Sequence, residues 1–333
     1  RRNGNVVSFV MEMEYMNVDK PTGYDATKVE ELLAGGTSGK DAVPVMAEVG
    51  NTPNVIVIMD EAFSDLSVLG DFETNQDYMP YLHSLQTGAT NTVTGTMNVS
   101  VLGGNTANTE FEFLTGHTMA FLPRGSVAYQ QYVNGKVPSL ASWFQEGGYS
   151  TVAMHPYYAS GWERDEVYPQ LGFDEFLSID DFGGSEKIRN YYSDSACFEM
   201  IKEIYEEKGE APLFLFNVTM QNHGGYSEEF ANFSPTVKVT KVQGNTLNSY
   251  LSLVKVTDQA LEDLIDYFEG VEEDTVIVFF GDHQPTSSVS NPIWKLNGKD
   301  GNHLTEEEQK LRYQVPFLIW ANFDIEEQTG IET

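Results

Sequence analysis

Three long apolar runs each end abruptly in residues that carry chemistry. Pro53-Asn54-Val55-Ile56-Val57-Ile58-Met59 runs into Asp60-Glu61. Pro212-Leu213-Phe214-Leu215-Phe216-Asn217-Val218-Thr219-Met220 runs into Gln221-Asn222-His223, and Thr275-Val276-Ile277-Val278-Phe279-Phe280 into Gly281-Asp282-His283. An apolar run with so little polar interruption reads as a strand covered on both faces, as central parallel strands are. Helical stretches separate the runs. Ser193 to Lys208 is amphipathic, and Tyr250 to Phe268 places Leu251, Val254, Ala260, Leu261, Leu264, Ile265 and Phe268 at helical spacing. Strands alternating with helices predict an α/β fold with a mostly parallel central sheet and helices on both faces. The carboxyl ends of such strands share one edge, and ligands bind there.

The rest of the chain fits around this frame. Tyr149 to Met154 predicts a strand ending at His155, and Val315 to Trp320 another. Val137 to Gly147 predicts a helix with a glycine stop. A further helical stretch begins at Trp162-Glu163-Arg164-Asp165 and stops near Gly172. Pro80 to Gln86 predicts a short helix, Thr90 to Thr96 an extended segment, and Trp294 to Leu311 a polar excursion. Residues 1–50 read as an N-terminal connector arm. Within it Val6 to Met16 is a helix or an extended arm, Asp25 caps a short helix to Leu33, and Ala34 to Gly39 is a loop. Residues 51–333 then form one domain, which stops soon after Trp320.

Charge narrows the function classes. Fifty acidic against 19 basic residues give a formal net charge of −31. That argues against a nucleic-acid surface, which needs clustered Lys and Arg. It also argues against electrostatic seating on anionic lipid. The single cysteine, Cys197, rules out an internal disulfide framework and reads as a buried structural thiol.

Polar residues at the strand ends can meet. Glu61, Asp282 and His283 make a mixed oxygen and nitrogen donor set suited to Mn²⁺, Mg²⁺ or Zn²⁺. The stretch Gly103-Gly104-Asn105-Thr106 opens a helix, where unpaired N–H groups at the positive end of the dipole form a phosphate site. From this segment alone, Asn105 or Thr106 as an ordinary N-cap is the simpler reading. Beside a metal, the Thr106 hydroxyl becomes a nucleophile. Arg164 can clamp phosphate through a paired fork, and Trp162 offers a flat apolar wall. His223 can protonate a leaving alkoxide or deprotonate an incoming alcohol. His155, at its strand end, can face the substrate. Each has a bland alternative: a satisfied structural histidine, a core tryptophan, or Arg164 paired with Glu163, Asp165 or Glu166. His83, His117 and His303 lack the strand-end context.

Taken in order, these pieces resemble the lipoteichoic acid synthase and phosphoglycerol transferase group of the alkaline-phosphatase and sulfatase superfamily. The matching motifs are Pro53-Asn54-Val55-Ile56 with Glu61, Gly104-Asn105-Thr106 with Glu110-Phe111, and His155. Trp162-Glu163-Arg164-Asp165 with Gly172-Phe173-Asp174, Asn222-His223 and Gly281-Asp282-His283 complete the set. The resemblance implies one Mn²⁺-type ion held by Glu61, Thr106, Asp282 and His283, with Thr106 as nucleophile. It implies that Trp162, Arg164 and His223 face a glycerol phosphate group. It also implies a phosphatidylglycerol-type lipid donor, a polyglycerolphosphate or glycan acceptor, and a catalytic domain on the outer face of a bacterial membrane, anchored by upstream helices outside this chain. The reaction would pass through a phosphoglyceryl ester on Thr106.

Departures matter too. A sulfatase proper needs a Cys or Ser converted to formylglycine where this chain has Thr106, which disfavours sulfate ester hydrolysis. Asp60, beside Glu61, competes as a ligand. Two other function classes remain: a single-metal phosphodiesterase or phosphatase with water as acceptor, and an inactive fold that only binds envelope polymers.

Overall fold

The computed structural model describes residues 22–29, 31 and 52–333. Asp25 accepts from the Thr27 amide at 2.9 Å and opens a helical turn at Ala26, as a cap should. The readings made at Val6–Met16 and Ala34–Gly39, and the end of the helix at Leu33, lie outside the described residues.

The chain forms β1 (Asn54–Asp60), α1 (Pro80–Leu85), β2 (Thr92–Asn98), α2 (Thr106–Thr115), α3 (Ala128–Gln131), α4 (Leu140–Glu146) and β3 (Ser150–Met154). Next come α5 (Arg164–Leu171), β4 (Glu175–Leu177), a hairpin of β5 (Lys187–Ile188) and β6 (Tyr191–Tyr192), α6 (Asp194–Glu207) and β7 (Leu213–Val218). It closes with α7 (Thr246–Glu269), β8 (Thr275–Gly281), α8 (Ser287–Leu296), α9 (Glu306–Leu311), β9 (Gln314–Ala321) and β10 (Gln328–Glu332). Eight strands make one sheet in the order β10-β2-β9-β8-β1-β7-β3-β4. The five strands from β8 to β4 are parallel, while β9 runs antiparallel to both β8 and β2.

The apolar runs behave as double-sided strands. On β1, Ile56 and Ile58 face a core shared with α6, α7 and α8, whereas Val57 and Met59 face a second core shared with α2, α4 and α5. β7 divides likewise, with Leu213 and Leu215 on one side and Phe214 and Phe216 on the other. Helices therefore cover both faces, as expected. Cys197 is fully buried in the first core.

Two expectations need correction. The stretch from Trp294 to Leu311 is not simply polar: Trp294 lies in the last turn of α8, fully buried in the core, and α9 follows. The predicted helix from Val137 starts only at Leu140, where Ser139 and Ser142 form a reciprocal capping box. The Val315 strand forms as expected, as β9, and runs antiparallel to β8. No helix among the described residues is long and apolar enough to cross a membrane.

Candidate active site

Because β8, β1, β7 and β3 are adjacent and parallel, their carboxyl ends deliver Asp282-His283, Glu61, the Gln221–Gly224 loop and His155 to one edge. A cavity of about 450 Å³ opens there. Glu61, Thr106, His155, Trp162, Arg164, His223 and His283 all line it.

Glu61, Asp282 and His283 present three ligand atoms within 4.8 Å of one another, all buried. Asp282 and His283 have their other atoms committed. Asp282 Oδ1 accepts from the Ala62 amide at 2.7 Å. His283 Nδ1 lies 3.0 Å from the Gln284 carbonyl oxygen, which only accepts, so Nδ1 carries the proton. His283 Nε2 therefore turns a lone pair toward Asp282 Oδ2 at 3.3 Å and Glu61 Oε1 at 3.9 Å. Asp282 Oδ2 and His283 Nε2 have no hydrogen-bond partner and are buried. Unpartnered buried acceptors converging on one point are costly, and a cation turns them into ligands. Burial and repulsion from Asp282 push the Glu61 carboxyl well up, against the pull of Arg164 and Thr106. Burial likewise raises Asp282, against His283. The residues present fit a divalent cation, and the carbonyl on His283 Nδ1 is the outer partner that such a ligand has.

Asp60 is excluded from this set. Its side chain points beneath the site, accepting from Asn222 Nδ2 and Thr219 Oγ1 at 2.9 Å each. Thr219 Oγ1 in turn accepts from the Glu61 amide at 3.0 Å. Asp60 thus braces the ends of β1 and β7.

Thr106 is the first residue of α2 and lines the cavity, and its hydroxyl pulls the Glu61 and Asp282 carboxyls down against the effect of burial. The plain N-cap reading does not hold. Asn105 occupies the cap position in the left-handed region, at φ 67°, and its side chain makes no cap bond. The loop is bent to bring Thr106 over the carboxylates.

Arg164 differs from expectation in its partner. Glu163, Asp165 and Glu166 are not paired with it; its Nε lies 3.1 Å and 3.2 Å from the two oxygens of Glu110, and Nη2 bonds the same carboxylate. Tyr168 adds its hydroxyl to Glu110 at 2.7 Å. The fork assigned to phosphate is thus filled by a fully buried glutamate, leaving the Nη1 side near Gly161 for the cavity. Glu110 was visible in the sequence as part of a motif, and it falls one helical turn from Thr106 on the same face.

His155 Nδ1 lies 2.9 Å from the Val218 carbonyl oxygen, so its proton sits there and Nε2 is a bare acceptor. Burial, with Arg164 adding to it, drives this imidazole well down and keeps it neutral. Trp162 stands in a turn before α5 at φ 58°, an unusual conformation for a large side chain, and lines the cavity. His223 Nδ1 lies 3.1 Å from the Tyr191 hydroxyl. Tyr191 and Arg189, on a short hairpin with no periodicity to read, carried no sequence signal. His83 and His303 bond to nearby aspartates away from the cavity, and His117 is exposed.

A family model described as Sulfatase matches residues 53–332. The chain belongs to the sulfatase family. As a sulfatase-family chain it is also similar to a Rhizobium meliloti (strain 1021) protein named for cyclic beta-1,2-glucan modification, at 34% identity over 97% of this chain and 49% of that protein. Lipoteichoic acid synthase 1 of Bacillus subtilis (strain 168) is 27% identical over 80% of this chain and 41% of its own. The chain therefore spans about half or less of the length of these relatives. Among solved structures, the Streptococcus pyogenes phosphoglycerol transferase GacH, bound to sn-glycerol-1-phosphate, superposes with a TM-score of 0.75. It shows 23% identity over 95% of this chain and 81% of that one. The resemblance to the lipoteichoic acid synthase group and the alkaline-phosphatase type of fold both hold.

Proposed function

We propose that residues 51–333 are the catalytic domain of a metal-dependent phosphoglycerol transferase, with residues 1–50 as its connector. One observation carries the reading. Ligand atoms of Glu61, Asp282 and His283 lie within 4.8 Å of one another, Asp282 Oδ2 and His283 Nε2 are buried without a partner, and Thr106, at the amino end of α2, lines the same cavity. Glu61, Asp282 and His283, with Thr106, would hold one divalent cation, Mn²⁺ before Mg²⁺ or Zn²⁺. When bound, the cation lowers the pKa of a hydroxyl it touches and offsets charge on a phosphoryl oxygen.

The chain's own residues supply the rest. Thr106 loses its hydroxyl proton to solvent, and Oγ forms a bond to the phosphorus of a phosphatidylglycerol-type donor. The bond from phosphorus to the diacylglycerol oxygen breaks, and His223 protonates that oxygen. In the second half an acceptor hydroxyl attacks phosphorus and gives its proton to His223. Thr106 Oγ leaves and regains a proton from solvent. Amide groups at the start of α2 and the Arg164 guanidinium favour the phosphate charge. His155 Nε2, a bare acceptor, takes a hydroxyl of the glycerol, and Trp162 packs on its carbon side.

The relative named for glucan modification favours a glycan hydroxyl as acceptor over a polyglycerolphosphate chain. Donor and acceptor of these classes put the domain on the outer face of a bacterial membrane, anchored by upstream segments.

Intact-protein mass after incubation with Mn²⁺ and phosphatidylglycerol, beside a Thr106→Ala control, tests the reading. A glycerophosphoryl adduct on the parent alone, mapped to Thr106, is expected. An adduct on the control as well, or none on a parent that releases no diacylglycerol, overturns it. Diacylglycerol release with water as the sole effective acceptor would make the protein a phosphodiesterase.

A further inference from the structure

His223 sits on a loop of short-range hydrogen bonds, Gln221 to Gly225, outside any helix or strand. Such a segment has no ladder to hold it, yet a proton-transferring side chain must stay aimed. Two residues of one hairpin supply the restraint. β5 and β6 pair Lys187 with Tyr192 and Ile188 with Tyr191, and Arg189-Asn190 makes the turn. Arg189 is in the left-handed region, at φ 57°. That conformation swings its side chain under the His223 loop, where it is 5% exposed. Its Nη2 donates to the carbonyls of Gln221 and His223, at 2.6 Å each, and Nη1 to that of Gly224 at 2.9 Å. Tyr191, Tyr226 and Phe230 surround the guanidinium with ring centroids 5.5–5.9 Å away. Asn232 fixes the hairpin itself, donating to the carbonyls of Lys187 and Arg189.

The same hairpin reaches the imidazole. The Tyr191 hydroxyl lies 3.1 Å from His223 Nδ1, and the rings meet edge to face at 5.4 Å. We propose that Tyr191 is a positioning residue that keeps a proton on His223 Nδ1, so that Nε2 alone exchanges protons in the cavity. The inference rests on the transfer reading above. To protonate a leaving alkoxide the ring must be an imidazolium, with hydrogen on both nitrogens. Only an acceptor can then face Nδ1, and the phenol oxygen is one. When the Nε2 proton passes to the departing oxygen, the Nδ1 proton stays on the ring, hydrogen-bonded to the Tyr191 oxygen, and the neutral ring turns a bare Nε2 toward the cavity. An incoming alcohol then loses its proton to Nε2 as its oxygen bonds to phosphorus, and the imidazolium is restored. A neutral ring with its proton on Nε2 could not accept that proton there. Arg189 fixes where the ring stands, and Tyr191 fixes which nitrogen works.

Two measurements on the same protein test this. Ring ¹H–¹⁵N correlation spectra of histidine-labelled protein, with His223→Asn to assign the signals, read the tautomer of the neutral ring directly. We expect His223 protonated on Nδ1 in the parent and shifted toward Nε2 in Tyr191→Phe, which removes one oxygen and no packing. A parent ring protonated on Nε2 overturns the proposal. The spectrum reads out even if no donor turns over, so a failed transfer reading and a failed positioning role are told apart. In turnover, Tyr191→Phe should lower kcat by roughly 10- to 100-fold with KM unchanged. In a His223→Ala background the same change should cost nothing more. An equal loss in both backgrounds, or no loss in the parent, would refute action through His223.

Discussion

Arg164 lays its Nε and Nη2 edge along the carboxylate of Glu110, a pair buried between α2 and α5 just behind the site. Glu110 is fully buried and receives Tyr168 as well, so its charge is compensated from two sides. Replacing it by Gln leaves Arg164 as an uncompensated buried cation. We expect Glu110→Gln to lose about 3–5 kcal/mol of stability in urea unfolding. The Glu110→Leu, Arg164→Met pair should be less destabilised than either single change, because no lone charge remains. Both variants should lose transfer activity, because Arg164 loses its fixed pose at the cavity in the first and is absent from the second.

Divalent cation should couple to stability through three side chains. A ligand at about 100 times its Kd adds roughly 2.7 kcal/mol to the folded state. Mn²⁺ should therefore raise the unfolding midpoint and a chelator reverse the rise. Asp282→Asn and His283→Ala should abolish the response in calorimetric titration, and Asp60→Asn should retain it. An unchanged response in His283→Ala would remove His283 from the ligand set.

Much of this site could be read from the chain because of one physical regularity. A strand covered on both faces is almost continuously apolar, so Glu61, His223 and Asp282 stand out where each run stops. Parallel pairing then brings the stops together. What could not be read depends on distant partners. Nothing near Arg164 announces Glu110 as its partner, and Glu163 and Asp165 are nearer in sequence. β4 is only three residues long at the sheet edge, and β5 and β6 two each, too short for any period. α8 contains Ser, Asn and Pro292, which mask a helix held by burial of Ile293 and Trp294. The direction of β9 follows from how the chain returns to β8, which no local pattern encodes.

Gly281 is required by a close approach. A Cβ there would lie 1.9 Å from the Phe63 carbonyl oxygen and 2.9 Å from its carbon, both backbone. Backbone cannot rotate away, so the segment Glu61–Phe63 must shift, carrying the Ala62 amide off Asp282. Gly281→Ala should cost about 1–3 kcal/mol, in the range for overpacking, and weaken Mn²⁺ binding by at least tenfold. Gly209→Ala, where a Cβ meets nothing within 4 Å, is the control and should leave both quantities unchanged. Equal metal affinity in Gly281→Ala would show that the turn tolerates the shift.

His83 gives the fold a pH dependence separate from the site. Asp65, 3.6 Å from Nε2, and Asp77, 2.9 Å from Nδ1, hold the imidazolium and raise it to about 9. Burial alone would raise Asp65, but bonds from His83, Tyr78 and Ser67 outweigh it and hold it at about 2. The signs then fix the window. A raised histidine stabilises fully below its unfolded value, near 6.5, and loses that contribution as pH climbs through about 9. A depressed aspartate stabilises above its unfolded value, near 3.8, and loses it as pH falls through about 2. The stability gap between parent and His83→Gln should therefore be greatest between about pH 4 and 6.5 and shrink steadily toward pH 9. Urea midpoints measured across that range check it. A gap that widens above pH 7 would mean that His83 is held as the neutral ring, and the cluster would be a hydrogen-bonded corner with no ion pair.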